Sequence, residues 1–210
     1  MALMDVTSLA TQERDEFANL LRGLTSEQWD TPSLCGSWRV REVAAHVIAY
    51  LDRGRVEFAK ALTEHRLQLD LLNNADVCSY AAGSRAQIAD VMREHAAPRG
   101  VGSGFGGRIA LVECMIHQQD IRLPLGLPRV IPTERLRAAL DFTKIAPLIR
   151  GGWYTRGVRL VATDLDWSSG RGPEVRGPGE ALLMTMARRR SALTELDGPG
   201  VVALARRLEP

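Results

Sequence analysis

No stretch limits what this chain can become as sharply as RIALVECMIHQQDIR, Arg108 to Arg122. Ile109, Ala110, Leu111, Val112, Met115, Ile116 and Ile121 would leave a helix of this sequence little surface to show to water, so it must run through a core. Yet the stretch carries Glu113 and His117, four residues apart and therefore one turn apart on a single helix face. A carboxylate in so apolar an element is costly unless it is paired. Two arrangements would satisfy it: a divalent metal bound jointly with His117, or a buried Glu–His hydrogen bond that only holds neighbouring helices together.

Length and charge narrow the field around that helix. The 210 residues suffice for a substantial core, as one domain with an appendage or two small domains. A formal net charge of +2 gives no electrostatic footprint for nucleic acid, and the run Arg188, Arg189, Arg190 reads as a solvated helix end. No apolar run approaches the roughly 20 residues that span a membrane, and MALMDVTSLATQERDEF lacks the layout of a signal peptide. A cytoplasmic protein with neither nucleic-acid nor membrane partners is therefore expected. Cys35, Cys78 and Cys114 are too few and too scattered for a disulfide framework. Cys35 and Cys78 are expected in loops without a recognisable base, and Cys114 about 100° around the helix from Glu113.

Periodicity places the other elements. A first helix is predicted over Thr7 to Gly23, capped by Thr7 or Ser8, with Leu9, Phe17, Leu20, Leu21 and Leu24 inward. A turn and loop follow in LTSEQWDTPSLCGSW, framed by Trp29 and Trp38 as packing anchors. Val40, Val43, Val47, Leu51, Phe58 and Leu62 then predict one long amphipathic helix from Arg39 to about His65, with His46 at the edge of its apolar face. Asn73 and Asn74 suggest a turn. A weaker helix is predicted from Ser84 to about Ala97. Gly102, Gly104 and Gly107 match G-x-G-x-x-G, but a helix and not a strand precedes them, which excludes a dinucleotide fingerprint. After the central helix, a further helix is predicted over Glu134 to Arg150 with Leu136, Leu140, Phe142 and Ile145 inward. VRLVATDLDW and PEVRG alternate like strands on either side of a turn at SSGRG, and two short helices close the chain. The expected organisation is a helical bundle over residues 1–152 and a small α+β region over 153–210.

Three motifs now meet a known family. LTSEQWDTPSLCGSWRVREVAAHV, ALVECMIHQQDIRLPLGLP and DLDWSSGRGPEVRGPGEALL together resemble the DinB-like four-helix bundles, and more closely the maleylpyruvate isomerase branch of mycothiol-dependent enzymes. The resemblance implies a mainly α fold, a DinB-like antiparallel four-helix bundle with a small C-terminal α+β appendage. It further implies that His46, Glu113 and His117 bind one divalent metal, most often zinc, with Asp120 just outside them. Asp120, three after His117, is the candidate catalytic residue, able to orient that histidine through its other ring nitrogen or simply to cap the helix face.

Three protein ligands on a tetrahedral metal leave one position open, the arrangement of catalytic zinc. The expected activity is therefore that of an enzyme which turns a low-molecular-mass thiol, on the resemblance mycothiol, into a metal-bound thiolate for S-transfer to an electrophilic substrate or its isomerisation. Two rivals stand beside it: a metal-dependent hydrolase using bound water, and a non-catalytic bundle that binds an apolar ligand or a partner. The expected partners are a small thiol and an electrophile, and a homodimer is the assembly entertained. A helix-turn-helix built on the turn at Gly36 is poor, because Glu42 and the apolar stripe occupy the face that would read DNA.

Overall fold

The computed structural model describes residues 5–51, 53–81 and 83–209. The chain divides into two compact units, Met1–Pro128 and Arg129–Pro210.

In the first unit the helices are α1 (Val6–Gly23), α2 (Ser26–Trp29), α3 (Val40–Ala49), α4 (Arg55–Glu64), α5 (Leu69–Tyr80), α6 (Arg85–Glu94) and α7 (Arg108–Arg122). The predicted central helix thus has the bounds read from its sequence. α1 packs along α6 and α7, while α3 packs against α5, α6 and α7, so that α1, α3, α6 and α7 form the bundle. Phe17 and Leu21 of α1, Val43 and Val47 of α3, Ile88 and Met92 of α6 and Ile121 of α7 share one core, with Trp29 buried among them. Each such side chain contributes about 2 kcal/mol by leaving water, which is why the α1 and α3 stripes hold at the predicted positions.

Polar groups follow where the backbone needs them. Thr25 and Gln28 close a capping box at α2, and Ser84 and Gln87 close another at α6, each satisfying amides a helix start leaves unpaired. The Glu42 carboxylate accepts from the Arg39 N–H at the start of α3, which gives this acidic residue a capping role. On the inner side of α1, Glu13 and Arg14 are fully buried. Gln118 of α7 donates to the carbonyl and carboxylate of Glu13 at 3.2 and 3.0 Å, tying α1 to α7 through polar atoms inside the bundle.

Three expectations for this unit change. α1 is capped at Asp5 rather than at Thr7 or Ser8. The long helix from Arg39 to His65 is two helices, because α3 ends at Ala49 and α4 starts afresh at Gly54, whose N–H donates to Glu57 at 2.9 Å. The predicted turn at Asn73 and Asn74 is instead the middle of α5. Its polar side chains do not fold back on the local backbone, because they find tertiary partners. Asn73 accepts from the Tyr50 hydroxyl at 2.6 Å, and Asp76 takes Arg53 in a two-bond ion pair at 2.6 and 2.7 Å.

The second unit holds α8 (Thr133–Ile145), α9 (Gly151–Tyr154), β1 (Arg159–Ala162), β2 (Ser168–Gly170), β3 (Glu174–Gly177), α10 (Gly179–Met186), a 3-10 turn over Arg190–Glu195 and α11 (Val201–Arg207). β1 is central, antiparallel to β2 and parallel to β3, with Leu160 opposite Ser169 and Val175. Alternation fixes the core face: Leu160 and Val175 are buried and Arg159 and Arg176 exposed. α10 covers β1 and also packs on α8. SSGRG, expected as a turn, therefore contributes the edge strand β2. α8 stops at Ile145, which is exposed and not inward. The arginine run ends α10 as expected: left-handed Arg188 donates its N–H to the Thr185 carbonyl and Arg189 to the Met184 carbonyl, both at 2.9 Å, and Arg190 then opens the 3-10 turn. The architecture is mainly α with one small three-stranded sheet near the C-terminus. Among the described residues no helix is long and apolar enough to cross a membrane.

Candidate metal and thiol site

α3 and α7 bring two histidines together. The rings of His46 and His117 stand edge to face with centroids 4.9 Å apart. His46 is buried and is also flanked by Trp38 at 5.0 Å and Tyr50 at 5.2 Å, so its ring sits in an aromatic collar that fixes its plane. Tyr50 lies one turn after His46 and is itself anchored by its hydrogen bond to Asn73 and by the Arg53 guanidinium over its ring at 5.2 Å. Burial, together with the charges of Asp76 and Glu113, pushes the Tyr50 hydroxyl well above the ordinary tyrosine range, so it stays a neutral donor.

Asp120 is fully buried on the last turn of α7, and its Oδ2 accepts from His117 Nδ1 at 2.9 Å. That bond fixes the ring's tautomer and leaves Nε2 as the nitrogen turned toward chemistry. Burial alone would lower the His117 pKa, but its hydrogen bonds to Asp120 and Cys35, with their charges, outweigh it and push the value up to about 9. One turn earlier, burial pushes the Glu113 carboxyl above its ordinary range, opposed by the charges of His117 and Arg14. A carboxyl so buried favours its neutral form unless a positive charge is close to it.

Cys35 enters from outside the helices, and sequence reasoning missed it. The turn from Ser33 to Trp38 is closed by Ser33 Oγ donating to the Trp38 carbonyl at 2.7 Å and accepting from the Cys35 N–H at 3.0 Å. Gly36 adopts φ +61°, a left-handed value that brings the chain back toward α3. The Leu34 N–H donates to the Asp120 carbonyl at 3.0 Å, which docks the turn on α7. Cys35 therefore lies against His117, and the expectation that it lacks a neighbouring base is corrected. Donor atoms of Cys35, His117 and Asp120 all lie within 4.8 Å of one another, a grouping able to hold a metal ion. The signal available in sequence was the placement of SLCGSW directly before the helix of His46.

The other two cysteines stand apart. Cys78 is exposed on α5, a helix and not the expected loop. Cys114 is fully buried on α7, and burial pushes its thiol up to about 12, which keeps it protonated and inert.

Residues 10–99 match the family model of the mycothiol maleylpyruvate isomerase N-terminal domain. The match spans less than half of the chain. The isomerase-like segment contains Cys35 and His46, while Glu113, His117 and Asp120 lie beyond it. Two crystal structures are similar over 95% of this chain and 93% of theirs, each at 14% identity. One is a histidine-to-alanine mutant of the mycothiol-dependent maleylpyruvate isomerase, with a TM-score of 0.57, and the other is that isomerase itself, at 0.55. At that identity the likeness is one of fold, and it agrees with the mainly α architecture expected from the sequence. No curated protein matches the chain in sequence.

Proposed function

We propose that this chain is a metal-dependent enzyme that uses mycothiol, as an isomerase or S-transferase acting on an electrophilic small molecule. The observation that carries the reading is the meeting of His46, inside the isomerase-like segment, with His117 of the apolar helix, at 4.9 Å between ring centroids.

The residue types suit a divalent metal of the zinc type. Two imidazoles and a carboxylate that burial makes expensive as a bare anion are the ligand chemistry such an ion takes. His46, Glu113 and His117 would hold it. When bound, the metal supplies the Lewis acidity that makes a thiol a nucleophile at neutral pH.

The protein's own groups do the rest. Asp120 holds His117 through Nδ1 so that the ring presents Nε2. Trp38 and Tyr50 wall the His46 side with aromatic surface, which lowers the local dielectric and strengthens every charge interaction inside it. The neutral Tyr50 hydroxyl stays committed to Asn73, so the wall is rigid. A thiolate delivered there can add to an activated double bond and leave again, which isomerises the bond, or displace a leaving group to form a conjugate.

Calorimetry of mycothiol binding to zinc-loaded and metal-free protein, paired with an isomerisation assay on maleylpyruvate, tests the reading. Binding that needs zinc, with thiol-dependent turnover, is expected. If mycothiol neither binds nor supports turnover while ester or amide hydrolysis proceeds without it, the protein is a hydrolase.

A further inference from the structure

We propose that Cys35 is a ligand of the metal held at His117, so that the resting site already carries a thiolate of the protein itself. The inference rests on the metal reading above and adds to it a donor supplied by a loop and not by a bundle helix.

Three observations carry it. Cys35, His117 and Asp120 offer donor atoms that all lie within 4.8 Å of one another. A tetrahedral ion with a metal–sulfur bond of about 2.3 Å and metal–nitrogen bonds of about 2.0 Å sets its donors roughly 3.5 Å apart, within the 4.8 Å that bounds the grouping. Asp120 is already engaged with His117 Nδ1, which gives it the orienting part and leaves Cys35 as the added donor. Finally, Cys35 is positioned by backbone: the Leu34 N–H is fastened to the Asp120 carbonyl, the Cys35 N–H to Ser33, and Gly36 turns the chain at φ +61°. A thiol placed by such a framework costs little entropy to hold at the ion.

The chemistry balances without an oxidant. The sulfur–hydrogen bond of Cys35 breaks, the proton passes to solvent, and the sulfur lone pair binds the ion. A sulfur donor also selects among metals, favouring zinc, cobalt(II) and other thiophilic ions over magnesium or calcium.

Cobalt(II) substitution of the full chain reads this directly. The wild-type protein should show a near-ultraviolet thiolate-to-cobalt charge-transfer band together with visible d–d bands. Cys35→Ser should lose the first and keep the second. Visible bands without charge transfer in the wild type, or a charge-transfer band that survives in Cys35→Ser, would overturn the assignment of Cys35 while leaving the histidine–carboxylate site standing. No cobalt binding at all would instead remove the metal reading, and this inference with it. Because Cys35→Ser could perturb folding, alkylation of the wild-type protein is followed in parallel by peptide mass spectrometry. Zinc should slow modification of Cys35 at least ten-fold, and an unchanged rate counts against ligation.

Discussion

The backbone N–H of Leu34 donates to the backbone carbonyl of Asp120 at 3.0 Å. A loop between two helices is thereby stitched to the end of a third, beside the residue that orients His117. Changes in the loop should therefore be felt at the histidine, and the first prediction follows from the residue that bends it.

Gly36 has φ +61° and no atom within 4 Å of where a Cβ would stand, so Gly36→Ala meets strain of the backbone alone. The cost should be about 1 kcal/mol, which in a protein of this size lowers the Tm by roughly 2–4 °C. Zinc affinity should fall with it. Thermal melts with and without zinc check both, and an unchanged Tm would mean that the turn relaxes to another conformation.

Asp120→Asn keeps the shape of the side chain but loses its charge and weakens the bond to His117 Nδ1. Zinc affinity should drop about 10- to 100-fold while the stoichiometry stays at one ion. His117→Ala, by contrast, should abolish tight binding, and elemental analysis that still finds one equivalent of zinc in that variant would defeat the ligand assignment.

Arg53 and Asp76 form a two-bond ion pair whose side chains are only 15% and 10% exposed. Removing one partner leaves the other charge short of both water and a counter-ion. Asp76→Asn should cost about 2–4 kcal/mol in urea denaturation, and the double variant Arg53→Met with Asp76→Leu should recover much of it. A loss below about 1 kcal/mol would show that Arg53 rotates out to solvent.

Thiol reactivity should rank by exposure. Cys78 is open to solvent on α5, and Cys114 is buried with its thiol pushed up to about 12. Alkylation at pH 8 should modify Cys78 within the fast phase and leave Cys114 untouched until the protein is unfolded. Modification of Cys114 in the native protein would indicate that α7 opens locally.

Much of this was legible from residue patterns, and the failures have a common cause. α7 declares itself because a stretch apolar on nearly every side can only be a core helix, and Glu113 and His117 stand out against it. The stripes of α1 and α3 follow the same logic, as Phe17, Leu21, Val43 and Val47 all reach the core. Asn73 and Asp76 mislead because local chemistry reads them as turn formers, whereas Tyr50 and Arg53, more than 20 positions away, hold them in a helix. Ser168–Gly170 misleads likewise: its residues look like a turn until Val161 and Leu160 pair with them. Ile145 looks inward by spacing, but α8 ends there. The change of periodicity near Val158 marks where strands begin, while the compact units part at 128 and 129, since α8 packs on α10. Cys35 was invisible for the deepest reason. Periodicity says which face of a helix is buried, and nothing in it says where a turn will dock.

α4 buries none of its side chains, and Val56 on it is 83% exposed. A helix held by so little buried apolar area should open more readily than the bundle, and its amides should exchange with deuterium faster than those of α3, which is buried along most of its length. It is thus the segment where a protease would cut first.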